Sequence, residues 1–141
     1  VPPTVFTRIV RREIPAAIVE EDALAIAFMD AGQVNPGHVI VATRREAATI
    51  LELTDAEAAA VFTMAARIAR RVQAAFAPAG LTVLQANGAA GWQTVPHFHL
   101  HVLPRHDGDG VELAWPRKDP PFATLQALAR RIAAAPDAPP A

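Results

Sequence analysis

In the nine-residue stretch His97-Phe98-His99-Leu100-His101-Val102-Leu103-Pro104-Arg105, histidine recurs at every second position and apolar residues fill the gaps. Successive side chains of a β-strand point to opposite faces. The pattern therefore predicts a strand over His97–Leu103, with Phe98, Leu100 and Val102 buried on one face. His97, His99 and His101 line the other, their Cβ atoms about 6.5 Å apart along the strand. A strand of this kind needs a sheet to pair with and an apolar layer to cover one side of it. The row of imidazoles suits an extended anion such as a phosphate chain.

The rest of the chain supplies those partners. Phe6, Ile9 and Val10 have helical spacing, and Pro15 is expected to end that short helix. Residues 16–20 and 23–29 read as two strands joined at Glu21-Asp22, and 38–42 as a third after a loop holding Pro36 and Gly37. Arg44, Arg45 and Glu46 lead onto the surface. Thr54 and Glu57 form a capping-box signature, followed by an apolar stripe of Val61, Met64, Ala65, Ile68, Val72 and Phe76, with Pro78 and Gly80 stopping the helix. Residues 81–86 form a strand and 87–96 a loop before the histidine strand. A last amphipathic helix carries Phe122, Leu125, Leu128 and Ile132, and 133–141 reads as a frayed tail. The expected fold class is α+β: about five strands in a mostly antiparallel sheet, one long helix packed on it, short terminal helices, and a single domain over 1–132.

Composition narrows the function. With 141 residues, 52% apolar and 19% charged, the chain suits one domain with a real core. A net charge of −1 offers no basic surface for counterion release, so no nucleic-acid partner is expected. Cysteine is absent, which excludes disulfides and thiolate metal sites. No apolar run reaches the ~18 residues of a membrane span, and Val1-Pro2-Pro3-Thr4 has neither region of a secretory signal. A soluble, cytoplasmic protein is expected, with no membrane partner.

A neutral imidazole is a good nucleophile, and a hydrogen bond to one nitrogen orients the other. Attack at phosphorus needs an in-line nucleophile and donors for the non-bridging oxygens. The middle residue, His99, can attack while its neighbours hold the phosphate. Two other readings stay open on the residues alone: a polar strand face that happens to be histidine, and a metal site in which His38 joins the strand histidines.

His97-Phe98-His99-Leu100-His101-Val102 resembles the motif of the histidine triad (HIT) superfamily, in its nucleotide-binding and fragile-histidine-triad-like branches. Ordered companions extend the resemblance over residues 4 to 105: Ile9-Val10-Arg11-Arg12-Glu13-Ile14-Pro15 through Glu21-Asp22, then Asp30, Pro36-Gly37-His38, Asn87-Gly88 and Gln93-Thr94-Val95. The resemblance implies a nucleotide hydrolase acting at the α-phosphate of a purine ribonucleotide, without a cofactor. His99 would form a covalent nucleotidyl-histidine intermediate, its other nitrogen held by backbone near His97. It implies that His101 contacts the phosphate and departing group, that His38 supports the triad, and that Asn87, Gln93 and Thr94 contact the phosphate or leaving group. Asp30 would take the ribose hydroxyls, and Val5, Phe6, Ile9 and Phe28 would form the base pocket. A two-fold dimer using the long helix and a sheet edge is also implied.

The chain departs from the family at several points. Members with cysteines near the N-terminus bind structural zinc with histidines, whereas Thr4 and Thr7 stand at those positions, so no structural zinc is expected. Trp92 replaces a more usual glycine. Trp115-Pro116 resembles a C-terminal pair of some members at longer spacing, and His106 falls out of register. Two substrate types fit the resemblance, nucleoside phosphoramidates and dinucleoside polyphosphates, and Arg105 bears on the second. A nucleotide-binding scaffold with little activity and a His-ligated metal enzyme are the rival functions.

Overall fold

A computed structural model describes residues 1–138. Five strands form one sheet: β1 (Ile18–Glu21), β2 (Ala25–Met29), β3 (Val39–Thr43), β4 (Gly80–Gln85) and β5 (His99–Arg105). Their order is β1-β2-β3-β5-β4, and every neighbouring pair is antiparallel. Helix α1 spans Val5–Val10, α2 Asp55–Phe76 and α3 Phe122–Ala134. This is the expected α+β architecture. No helix of the described residues is long and apolar enough to cross a membrane.

The period-2 pattern divides the sheet into two apolar layers. Ala25, Ala27, Val39, Val41, Leu100 and Val102 face α2, where Val61, Met64, Ile68 and Val72 complete the larger core with Phe98. Alternate residues Ile26, Phe28, Ile40 and Ala42 face the other way and meet Phe6 and Ile9 of α1. The capping box forms as expected: Thr54 Oγ1 accepts the Glu57 N–H at 3.1 Å, and the Glu57 carboxylate accepts the Thr54 N–H at 3.0 Å. Arg45 adds a two-pronged ion pair to Glu57, at 2.7 and 2.8 Å, and its hydrogen bonds hold that carboxyl down at about 2.

Several boundaries move for identifiable reasons. Helix α1 stops at Val10, not at Pro15, because Arg12 turns left-handed (φ 61°) and its N–H bonds back to the Ile9 carbonyl. Strand β5 begins at His99, not His97: the His97 N–H turns back to Val95 O and the Phe98 N–H goes to Ala47 O, so ladder pairing starts at His99 opposite Ala42. Helix α3 continues through Ala133 and Ala134, beyond the expected start of the tail, and residues 139–141 of that tail lie outside the described residues. Phe76 closes the α2 stripe over Gly37, whose φ of +100° and lack of a Cβ are both required: a methyl there would lie 2.8 Å from the Phe76 ring. That close approach sets the backbone just before His38.

Candidate active site

The site is assembled on the sheet face opposite α2. Ile40 of β3 pairs with His101 of β5, and Ala42 with His99. Both histidines thus rise beside the β2 and β3 residues that pack against α1. A cavity of about 500 Å³ opens there. Of the residues expected from the sequence, Val5, Phe6, Ile9, Phe28, Asp30, Thr94, His99 and His101 all line it. Phe6 meets Phe28 edge-on at 5.2 Å and His99 at 4.9 Å, so it is both core residue and cavity wall. Met29, Ile40 and Val95 also line the cavity and were missed. Residues 39–42 of β3 are all apolar, so alternation names no face there, and only the register with β5 exposes Ile40 to the site.

The hydrogen bonds assign each histidine a tautomer. His99 Nδ1 lies 2.7 Å from the His97 carbonyl, which can only accept, so Nδ1 carries the proton and Nε2 keeps its lone pair. His38 Nδ1 accepts the Val34 N–H at 3.4 Å, so His38 Nε2–H donates to His101 Nδ1 at 2.8 Å. His101 is left with its proton on Nε2. The two catalytic candidates therefore differ: His99 offers a lone pair and His101 a donor. Asp30 stands at the end of β2, one oxygen accepting the Gly32 N–H at 2.8 Å and the other 3.4 Å from His38 Nε2. Burial lowers the pKa of His99, His38 and His97 below the ordinary histidine value. His101 falls to about 4, through burial first and then the neighbouring His99 and His38.

His97 does not join them. It is fully buried and outside the cavity. Its Nε2–H donates to Thr43 O at 2.7 Å, and its Nδ1 accepts from Thr4 Oγ1 at 2.8 Å. Thr7 donates its hydroxyl to Glu46, which also accepts the Thr4 N–H at 3.0 Å. These four side chains form a polar clasp that ties α1 to the start of the histidine strand. They do not fit structural zinc: the set holds one imidazole, one carboxylate and two hydroxyls, and each is already hydrogen-bonded within the set or to the Thr43 carbonyl.

Asn87 and Gln93 are likewise drawn elsewhere. Asn87 Oδ1 accepts the Ile50 N–H at 2.7 Å, while Gln93 accepts the Gly88 N–H and donates to Ala48 O. They brace the loop before β5 and do not line the cavity. Trp92 sits at φ 73°, a left-handed conformation that glycine adopts without strain, and is 62% exposed. Trp115 is exposed and outside the site, as is His106. Among the described residues, one group has metal-ligand spacing: Asp30, His38 and His101. Two zinc-bound nitrogens at tetrahedral angles lie about 3.3 Å apart, whereas His38 and His101 stand at hydrogen-bond distance.

Residues 11–108 match the model of the HIT domain. The chain belongs to the HIT family. The HIT protein named protein hit, from Bacillus subtilis (strain 168), is 38% identical over 112 residues, covering 79% of this chain and 77% of its own. Adenosine 5'-monophosphoramidase hnt1 of Schizosaccharomyces pombe is 31% identical over 129 residues, covering 91% and 94%. A HIT family protein from Bacillus anthracis has a crystal structure that superposes with a TM-score of 0.88, at 34% identity over 92% of this chain and 94% of that one.

Proposed function

We propose that this HIT protein is a nucleotide hydrolase that cleaves at the α-phosphate of a purine ribonucleotide through a covalent intermediate on His99. The observation that carries the reading is the His99 tautomer: the bond to the His97 carbonyl leaves Nε2 unprotonated on a ring that walls a largely apolar cavity. The purine would lie among Val5, Phe6, Ile9 and Phe28, and Asp30 would accept from the ribose hydroxyls.

In the first step the His99 Nε2 lone pair forms a bond to phosphorus and the bond to the departing nitrogen or oxygen breaks. His101 Nε2–H hydrogen-bonds the departing atom and steadies its developing charge, and that atom takes up a proton from solvent as it leaves, so His101 stays neutral. In the second step water attacks the phosphorus and releases a proton to solvent as the N–P bond breaks, freeing neutral His99 and the nucleoside monophosphate. His38 holds His101 in the required tautomer and Asp30 lies beside both rings. The name of the fission-yeast relative supports the phosphoramidate branch of this reading.

The test is His99→Asn with an adenosine phosphoramidate. Turnover should fall by at least about a thousandfold while nucleotide affinity stays within a few fold, and mass spectrometry of quenched wild-type protein should show a nucleotidyl adduct on His99. Turnover by the variant at the wild-type rate would refute the nucleophile. Asp30→Ala should weaken ribonucleotides more than deoxyribonucleotides; equal losses would remove the ribose role. A metal-dependent reading rests on the clustering of Asp30, His38 and His101. It requires that exhaustive chelation abolish activity and zinc restore it.

A further inference from the structure

A second cavity of about 230 Å³ adjoins the first and shares His101 with it. His38 and His101 form one wall, and Leu84, Leu103, Val111 and Leu113 supply much of the rest. The nucleophile does not reach it: His99 lines the first cavity alone. In-line displacement places nucleophile and leaving group on opposite sides of phosphorus. With the nucleoside in the first cavity and His99 attacking, the departing group leaves past His101, whose Nε2–H is the donor it needs.

The second cavity has a definite chemistry. None of the residues lining either cavity is Lys or Arg. Arg105, the basic residue that follows the histidines on β5, is already engaged: it bonds Asp109 at 2.8 and 3.1 Å, Val111 O at 2.8 Å and Thr82 Oγ1 at 3.2 Å. Asp109 also accepts the Val111 N–H at 3.0 Å. The arginine thus pins the segment that carries Val111 and Leu113 and has no geometry left for a phosphate chain. A polyphosphate would bring several charges against an apolar wall without a counter-charge, which is costly. An apolar group meets no such penalty, and an apolar cavity of ~150 Å³ already accepts benzene.

We propose that the second cavity is the leaving-group site and that the preferred substrates are nucleoside phosphoramidates of amines bearing an apolar, ring-sized substituent. The proposal rests on His99 as nucleophile and goes further by naming what departs. Its test compares kcat/KM for unsubstituted adenosine phosphoramidate, the N-(2-phenylethyl) derivative and diadenosine tetraphosphate. The phenylethyl compound should lead the unsubstituted one by about tenfold or more, and the tetraphosphate should be slowest. In Leu84→Ser and Leu113→Ser the phenylethyl-to-unsubstituted ratio should collapse toward one. No preference in the wild type, an unchanged ratio in both variants, or a faster tetraphosphate would overturn the proposal. Binding of inert adenosine 5'-carbamates, phenylethyl against methyl, reads the cavity without turnover. Tighter phenylethyl binding that both variants lose supports the assignment even if no amidate is cleaved, an outcome that would fell the nucleophile instead. Equal affinities overturn the assignment.

Discussion

His99 and His101 lie two residues apart on one strand, yet their neighbours give them opposite protonation, one by a backbone carbonyl and the other by His38. Burial lowers the pKa of both imidazoles below the ordinary histidine value, that of His101 to about 4. The pH dependence follows from that direction. An unfolded histidine binds its proton near 6.5, while the folded His101 resists it until about 4. The unfolded state therefore holds more protons between those values, and stability is lost as pH falls through that window. Melting temperature should drop between pH 7 and pH 5, and kcat/KM should hold level from pH 8 to below 6.5 before it declines. A rise in melting temperature over the same range would contradict the burial account. Period-2 spacing made His99, His101 and their strand legible in the sequence, and the companions of the motif led to Asp30, Phe6 and Phe28. The separate fate of His97 was not legible. Its partners Thr4, Thr7 and Glu46 come from two distant segments, and no local spacing records that they meet.

Helices and strands were legible to the extent that one periodicity or cap dominated. The stripe and capping box of α2 left little choice, and the alternation of β5 fixed which side it buries. Boundaries depended on backbone partners that sequence does not encode, as at His97-Phe98, where two N–H groups turn away from the ladder. Helix α1 has only six residues and depends on its anchorage. Thr4 both caps it, accepting the Thr7 N–H at 3.1 Å, and supplies the proton to buried His97 Nδ1. Thr4→Val removes the cap and leaves that nitrogen unsatisfied, so unfolding free energy should fall by about 2 kcal/mol. Because α1 also walls the cavity, KM for nucleotide substrates should rise several fold with kcat nearly constant. Urea unfolding and steady-state kinetics check both parts. A loss under about 0.5 kcal/mol would mean that the clasp contributes little.

At the scale of the molecule, β4 ends the sheet and Val83 at its middle is half exposed, as is Phe62 on α2. An uncovered edge strand invites pairing with another copy. The expected assembly is a two-fold dimer, and light scattering should give twice the chain mass, with Val83→Asp shifting it toward the monomer. A monomeric wild type at micromolar concentration would rule this out. The α3 helix is uncovered too, with Phe122, Leu125, Leu128 and Ile132 all exposed; its amphipathic spacing was legible, but that its apolar side stays open in the single chain was not. The clasp beneath α1 has a consequence for how the protein endures its surroundings. Hydroxyls, a carboxylate and an imidazole cannot be oxidised to a disulfide, blocked by a thiol reagent or stripped by a chelator. The first turn of this chain should thus keep its grip through peroxide stress and zinc starvation alike, at the cost of a fastening that acid can loosen.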